Sequence, residues 1–269
     1  MRKALLTLSF LLACTAAQAE PAFFTTTVDG EITIGTMGEV VDVKLEDADW
    51  MGAPVVEGYE QKLRGWRFEP IIEDGEAVQA RGDMRLTLVA VRDDEKQTAH
   101  FAVRHVYFPD PEAAKQPIER AKFRAPVYPR DAARNGVGAQ VILVARVDEA
   151  GQPSEVAVEQ LHLSGPQPGA HAQRMAGQFA RASTAAVKHW TLNGVEAGTL
   201  VHLPIKYTPP AFSPPRGGWE RIYPVRMDVP DWVEQARQDE QRVLALAEDG
   251  SPSTTRLRLL TPLDALPGI

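Results

Sequence analysis

Apolar positions in this chain change period in a fixed order, and they do so twice. Phe23 to Thr36 is rich in Thr, Val and Ile and reads as a long strand or a hairpin, with Asp29-Gly30 as a candidate tight turn. Met37-Gly38 turns the chain, and Val41, Val43 and Leu45 alternate as a strand with one buried face. Val56, Tyr59, Leu63 and Trp66 follow at spacings of three, four and three, which is one face of a helix ending at tryptophan. Pro70 in the segment Arg67-Phe68-Glu69-Pro70 prevents the helix from continuing, since proline lacks the donor and restricts the residue before it. Leu86, Leu88 and Ala90 alternate in a third strand. Ala99, Phe101, Val103 and His105 predict a fourth, joined by the charged turn Arg92 to Lys96.

The second pass begins at Pro126-Val127-Tyr128-Pro129, which leads into a short helix over Arg130 to Asn135. Val141, Leu143, Ala145 and Val147 alternate as a strand, Glu149-Ala150-Gly151 turns, and Val156 and Val158 return. Met175, Phe179, Ala182, Ala186 and Trp190 mark a second amphipathic helix ending in tryptophan, and Val201, Leu203, Ile205 and Tyr207 a last strand. The turn at Gly35 to Val43 matches Asp148 to Val156, Trp66 matches Trp190, and Leu86 and Leu88 match Leu203 and Ile205. An internal repeat of this length predicts two copies of one small module. The fold expected is α+β: two tandem small antiparallel sheets, each with helices packed on one face, followed by a C-terminal helical tail. The divisions are a leader over 1–19, a first module over 20–110, a linker over 111–122, a second module over 123–208, and a tail over 209–269. Prolines 209, 210, 214 and 215 with Gly217-Gly218 make a semi-rigid linker at the start of the tail. Asp228 to Glu248 then reads as helix and Arg256 to Leu260 as a short strand.

Composition narrows the function. Hydrophobic residues make up 44% and charged residues 24%, which is globular composition. A formal charge of −7 and a pI near 5.5 argue against nucleic acid as a partner, because phosphate binding needs a basic face. Arg2 and Lys3, an apolar Ala4 to Ala13 and the small residues Ala17 and Ala19 predict a secretory signal cleaved before Glu20. A second reading stands beside it: Phe10-Leu11-Leu12-Ala13-Cys14 resembles a lipobox, with Cys14 lipidated and the protein anchored to an envelope membrane. Cys14 is the sole cysteine, so the folded part holds no disulfide and relies on its apolar core.

Candidate chemistry is sparse. None of the six histidines, His100, His105, His162, His171, His189 and His202, has ligand spacing. His162 and His171 flank a Ser-Gly-Pro loop, where a metal site is conceivable but solvated loop histidines are the default. No serine sits in a Gly-x-Ser-x-Gly turn, and Gly136-x-Gly138 precedes a strand rather than a helix. No catalytic residue, metal site or cofactor is assigned. Trp66 and Trp190 are expected in the core.

Tyr128-Pro129, the Asp148 to Gly151 turn, the helix into Trp190 and the closing Leu203-Pro204-Ile205 strand together resemble the C-terminal domain of TonB proteins, periplasmic transducers that reach outer-membrane transporters. The resemblance covers about Phe123 to Thr208, and in a more divergent form about Asp29 to Val91. It does not extend to the membrane helix and Pro-rich spacer of whole TonB proteins. Trp190-Thr191-Leu192-Asn193 departs from the family's usual Trp-x-Phe-x-Pro. The resemblance implies a periplasmic, non-enzymatic protein-binding module. Its partner would be an extended segment of an envelope protein, such as a transporter, added along an edge strand. The matching edge is Leu200, Val201, His202, Leu203, Ile205, Lys206 and Tyr207, with Tyr128 and Pro129 as a further contact. Two alternatives remain: an envelope assembly protein that self-associates through sheet edges, and an exported hydrolase whose site lies between the modules.

The leader makes its own prediction. Mass spectrometry of the mature N-terminus should find Glu20; a diacylglyceryl-modified Cys14 would replace that reading with the lipoprotein one.

Overall fold

The computed structural model describes residues 21–93, 96–109, 124–192, 195, 197–209, 217–238, 243–245 and 257–263. The expectations for Cys14, Ala17, Ala19 and the linker over 111–122 fall outside these residues.

The first half opens with β1 (Ala22–Ile34), β2 (Val40–Leu45) and α1 (Ala53–Arg64). A small hairpin of β3 (Ile71–Glu73) and β4 (Glu76–Val78) follows, then β5 (Ala80–Asp93) and β6 (Thr98–Tyr107). The second half holds α2 (Arg130–Arg134), β7 (Ala139–Val147), β8 (Pro153–Leu163), α3 (Gly169–Val187) and β9 (Leu200–Tyr207). After it come β10 (Glu220–Val225), α4 (Asp231–Gln238) and β11 (Val243–Ala245).

The two halves share one pairing scheme. β1 lies between β2 and β5, and β7 lies between β8 and β9, all antiparallel. In each half the helix connects the second strand to the third. The turns match atom for atom in the backbone. Gly35 N–H donates to Glu39 O at 2.8 Å, and Asp148 N–H to Gln152 O at 2.9 Å. Register slips at the same place, between Thr33 and Ile34 and between Arg146 and Val147, so Val41 and Ser154 are equivalent bulge residues. Two residues after each tryptophan the chain is clasped to the turn glycine: Phe68 N–H donates to Gly38 O at 2.8 Å, and Leu192 N–H to Gly151 O at 2.7 Å.

Each helix covers one face of its strands. Tyr59 and Leu63 of α1 pack with Ile32, Ile34, Val43, Leu86 and Leu88, and Trp66 closes that core at 3% exposure. Met175, Ala176, Phe179 and Val187 of α3 pack with Val141, Leu143, Leu161, Leu163, Val201 and Leu203, with Trp190 at the rim. Both tryptophans are therefore core residues, and Trp190 Nε1–H donates to Arg124 O at 2.9 Å.

Several expectations are corrected. The sheets are not separate. One nine-stranded sheet runs β11-β9-β7-β8-β10-β1-β5-β6, with β2 beside β1. The joining strand is β10, which lies in the expected linker and tail. It pairs Phe23 to Thr25 of β1 on one side and Leu161 to Leu163 of β8 on the other. The stretch β10 covers would otherwise leave two rows of unpaired backbone groups. Asp29-Gly30 makes no turn, since β1 runs through it; a Cβ on Gly30 would lie 2.7 Å from Lys44 O, so this glycine allows β2 to approach. The true tight turn is Asp74-Gly75, with φ of 51° and 85°, between β3 and β4. Among the described residues the tail helix runs over Asp231–Gln238, with 239–242 and 246–248 of the expected helix outside them, and Val243 to Ala245 instead pair in parallel with Leu200 to His202. The short strand expected over Arg256 to Leu260 is a single bridge, Phe68 to Leu259.

The repeat alignment also shifts. With Gly38 matched to Gly151, Val28 matches Val141, and their partners across the ladder are Leu86 and Ile205. Leu86 therefore corresponds to Ile205, two residues beyond the sequence match. A two-residue slip keeps every apolar side chain on its own face, so alternation alone does not fix it.

The clasped glycines generate a test. Both have positive φ, 78° at Gly38 and 72° at Gly151, which costs an alanine about 1–2 kcal/mol. A Cβ at Gly38 would also lie 2.0 Å from Phe68 O, against 3.0 Å from Leu192 O at Gly151. Urea denaturation should therefore show G38A losing more stability than G151A, with both below the parent.

Candidate functional site

Three places carry exposed or reactive groups. The first is the rim of β9. Its inner side is held by β7 from Arg146–Leu200 to Ala139–Tyr207. Its outer side is paired by β11 only along Leu200, Val201 and His202. No described strand pairs with the outer side from Leu203 to Tyr207. Side chains alternate about this rim: Val201, Leu203 and Tyr207 are buried under α3, with Ile205 packed against them, while Lys206 is exposed. Of the expected edge, Leu200, Val201 and His202 are thus already covered. Leu203, Ile205, Lys206 and Tyr207 lie on the uncovered part. Pro204, opposite Ile142, removes one donor from it.

The second place is an open groove of about 380 Å³ between α2 and α3, lined by Val127, Tyr128, Pro129, Arg130, Gln178 and Arg181 among others. Pro129 sits at the N-cap of α2. Tyr128 turns its ring inward onto Phe179 and Tyr207, at centroid distances of 5.8 and 5.5 Å, and its hydroxyl donates to Val137 O at 2.8 Å. Burial and the neighbouring Tyr207 push the Tyr128 hydroxyl pKa up. Tyr128 is chiefly a support for the β9 core, and only its outer side faces the groove.

The third place was not anticipated as a unit. The sheet curls so that β6 faces β8 and β9 on the side away from α3. Both facing strands are bulged. On β6 the register jumps from Thr87–His105 to Leu88–Val103, leaving Arg104 as the extra residue. On β8 it jumps from Ile142–Gln160 to Leu143–Val158, leaving Glu159. A bulge re-aims a side chain out of the pleat. Here each half re-aims one charge toward the other: Arg104 Nε–H donates to Gln160 Oε1, and the Glu159 carboxylate lies close enough to favour the guanidinium charge. Burial nevertheless pushes the Arg104 pKa down to about 10.

Histidines complete the layer. His202 Nε2 is 3.6 Å from Glu159 Oε2, whose side chain is 6% exposed. His105 and His162 are 9% and 2% exposed. Burial pushes His105 down to about 4, with the nearby His202 adding to the effect and Glu159 opposing it. His162 is pushed well below its ordinary value by burial and then by Arg104. Neither terminal nitrogen of Arg104, nor His105 Nε2, nor either ring nitrogen of His162 has a hydrogen-bond partner among the described residues. Groups of this kind are rare in folded proteins and mark places where structure was not chosen for stability alone.

Among the described residues no three His, Cys, Asp or Glu side chains are placed to hold a metal ion. His171 contacts Arg174 on α3, away from His162, so the loop they flank does not gather them. The convergence of His105, His162, His202 and Glu159 between the halves is what a hydrolase would need. The adjoining recess beside His162, however, measures about 10 Å³, room for about one water and not for a substrate.

Sequence reasoning named His105, His162 and His202 singly but missed their meeting, because it depends on β10 and on two bulges. Alternation broken at Arg104-His105 and at Glu159-Gln160 was the available signal. No family model, no curated protein and no solved structure matches this chain.

Arg104 and Glu159 are buried charges of opposite sign that attract each other, and removing one leaves the other less compensated, at a cost of up to about 3–5 kcal/mol where the two act as an ion pair. Urea melts of R104M and E159Q should each show a loss of that order, and the double variant a loss well below their sum. Additive losses would mean that the two side chains do not act as a pair.

Proposed function

We propose that the protein is an exported, non-enzymatic binding module of the cell envelope, built from two copies of a TonB-like domain. It captures an extended segment of an envelope protein by strand addition along β9. Outer-membrane transporters are the partner class that the TonB resemblance suggests.

One observation carries this reading. By the corrected alignment, Arg85 to Leu88 of β5 correspond to Pro204 to Tyr207 of β9. In the first half that stretch of β5 is filled on its outer side by β6, with Tyr107 opposite Arg85 and Val103 opposite Leu88. In the second half the same stretch has no described partner strand. The repeat thus supplies its own example of what a rim without a described partner strand would accept: an antiparallel segment held by main-chain hydrogen bonds. It also explains why only one half would bind, since the first is already complemented by its own chain.

The groove beside Tyr128 and Pro129 adjoins the same core and offers a place for side chains that continue past the rim. Its Arg130 and Arg181 suit an acidic residue there.

A photo-crosslinking residue at the exposed Lys206, compared in cells with one at the exposed Glu57 on α1, tests the reading. Adducts with envelope proteins at position 206 and not at 57 are expected. Equal labelling at both sites, or no envelope adduct at 206, would remove it. Adducts joining two copies of the chain would transfer support to self-association through the edge.

A further inference from the structure

We propose that the polar layer joining β6 to β8 and β9 is an acid-sensitive latch, closed near neutral pH and opened by protonation of His105 and His162, with β10 as the hinge. The inference stands independently of strand capture.

Geometry carries it. The two halves are joined in two different ways. One is the main-chain ladder through β10, which spans three residue pairs on each side; its titratable side chains are Glu220 and Arg221 toward β1, and Tyr223 and His162, opposite Pro224, toward β8. The other is the face-to-face contact of the two bulges. Its charged and titratable members among the described residues are Arg104 and His105 on β6, Glu159 and His162 on β8, and His202 and Lys206 on β9. Glu220 on β10 is bonded to Lys206 at 3.3 Å. With the histidines neutral, the inner layer holds one cation, Arg104, and one anion, Glu159. Each proton added to His105 or His162 places a further positive charge in the layer that holds Arg104, with no second carboxylate among the layer's described residues to answer it. Repulsion and desolvation then act on the contact between the halves; the pairing of β10 with β1 holds no histidine, whereas His162, opposite Pro224, carries the response into the pairing of β10 with β8.

The sign follows from linkage. In the closed form His105 resists protonation until about pH 4, whereas a solvated histidine titrates near 6.5. The closed form therefore binds fewer protons than the open form between those values. Its advantage is complete above about pH 6.5, shrinks as pH falls through the window, and is not regained below it. For His105 alone the open-to-closed ratio rises about 30-fold from pH 7.5 to pH 5. His162, pushed in the same direction, adds to this.

Hydrogen exchange at the bulge reads the latch. Protection factors, corrected for the intrinsic pH dependence of exchange, should fall at least about tenfold at Arg104, the β6 residue that the ladder to β5 leaves out, between pH 7.5 and pH 5. Those of Val141 to Ala145 in β7 should hold. The double variant H105F/H162L removes both titrations while keeping the layer filled, and its Arg104 protection should be flat over the same range. Three results would overturn the latch: Arg104 protection constant in the parent, Arg104 and β7 falling together as in global unfolding, or an undiminished response in the double variant. The parent measurement decides on its own if the double variant does not fold.

Discussion

The architecture rests on six residues of backbone. β10 gives its N–H and C=O groups to β1 on one side and to β8 on the other, and thereby turns two compact αβ units into one sheet. Main-chain pairing is indifferent to side-chain identity, so a segment rich in charge and proline can serve, provided that its length matches the gap. Once the ladder is closed, the natural twist of so many strands carries β6 round to face β8 and β9. The polar layer follows from that curl, while α4 docks through Val233 onto Val144, Ala157 and Leu200 and β11 meets β9 within the second half.

What lies at the centre of the curl is chemically expensive. A guanidinium taken out of water costs several kcal/mol even after relaxation, and Glu159 and Gln160 recover only part of it. Hydrophobic residues there would hold the halves together more tightly. Polar contact between two opposed bulges does something that apolar contact cannot: it fixes one relative position, because any slide separates Arg104 from Gln160, to which its Nε–H donates. The surrounding apolar contacts tolerate small shifts, so the polar layer sets the alignment and the cores supply the adhesion.

Much of this was legible in the chain. The period-2 and period-3.6 runs placed β2, β5, β7, β8, β9, α1 and α3, and the repeated turn with its following tryptophan revealed the duplication. The hydrogen bonds from Phe68 to Gly38 and from Leu192 to Gly151 give that duplication its physical basis. Other features were hidden for definite reasons. β10 has too short an alternation, interrupted by Pro224, to stand out from a Pro and Gly-rich tail. The bulges at Arg104 and Glu159 are single-residue events whose effect depends on the partner strand. The sequence reads β9 as an edge, whereas β11 covers Leu200 to His202, because parallel pairing between distant short segments leaves no local mark. Asp74-Gly75 and Asp29-Gly30 carry the same local turn signal, and only the strand pairing around them tells the turn from the strand interior.

The closure of β1 by β10 has a consequence for how the chain is made. Phe23 meets Ile222, so a pairing near the amino end waits until almost two hundred further residues have appeared. In the meantime the first half can complete its helix, its hairpin and its ladder to β5 and β6, yet it keeps a bare rim at Phe23 to Thr25. Contacts of such long sequence separation form late and slowly. A nascent chain of this protein therefore passes through a stage in which a nearly finished domain displays an unpaired strand end, the kind of surface that sticks to its neighbours. The tail that looks dispensable on the page is the piece that ends this exposure.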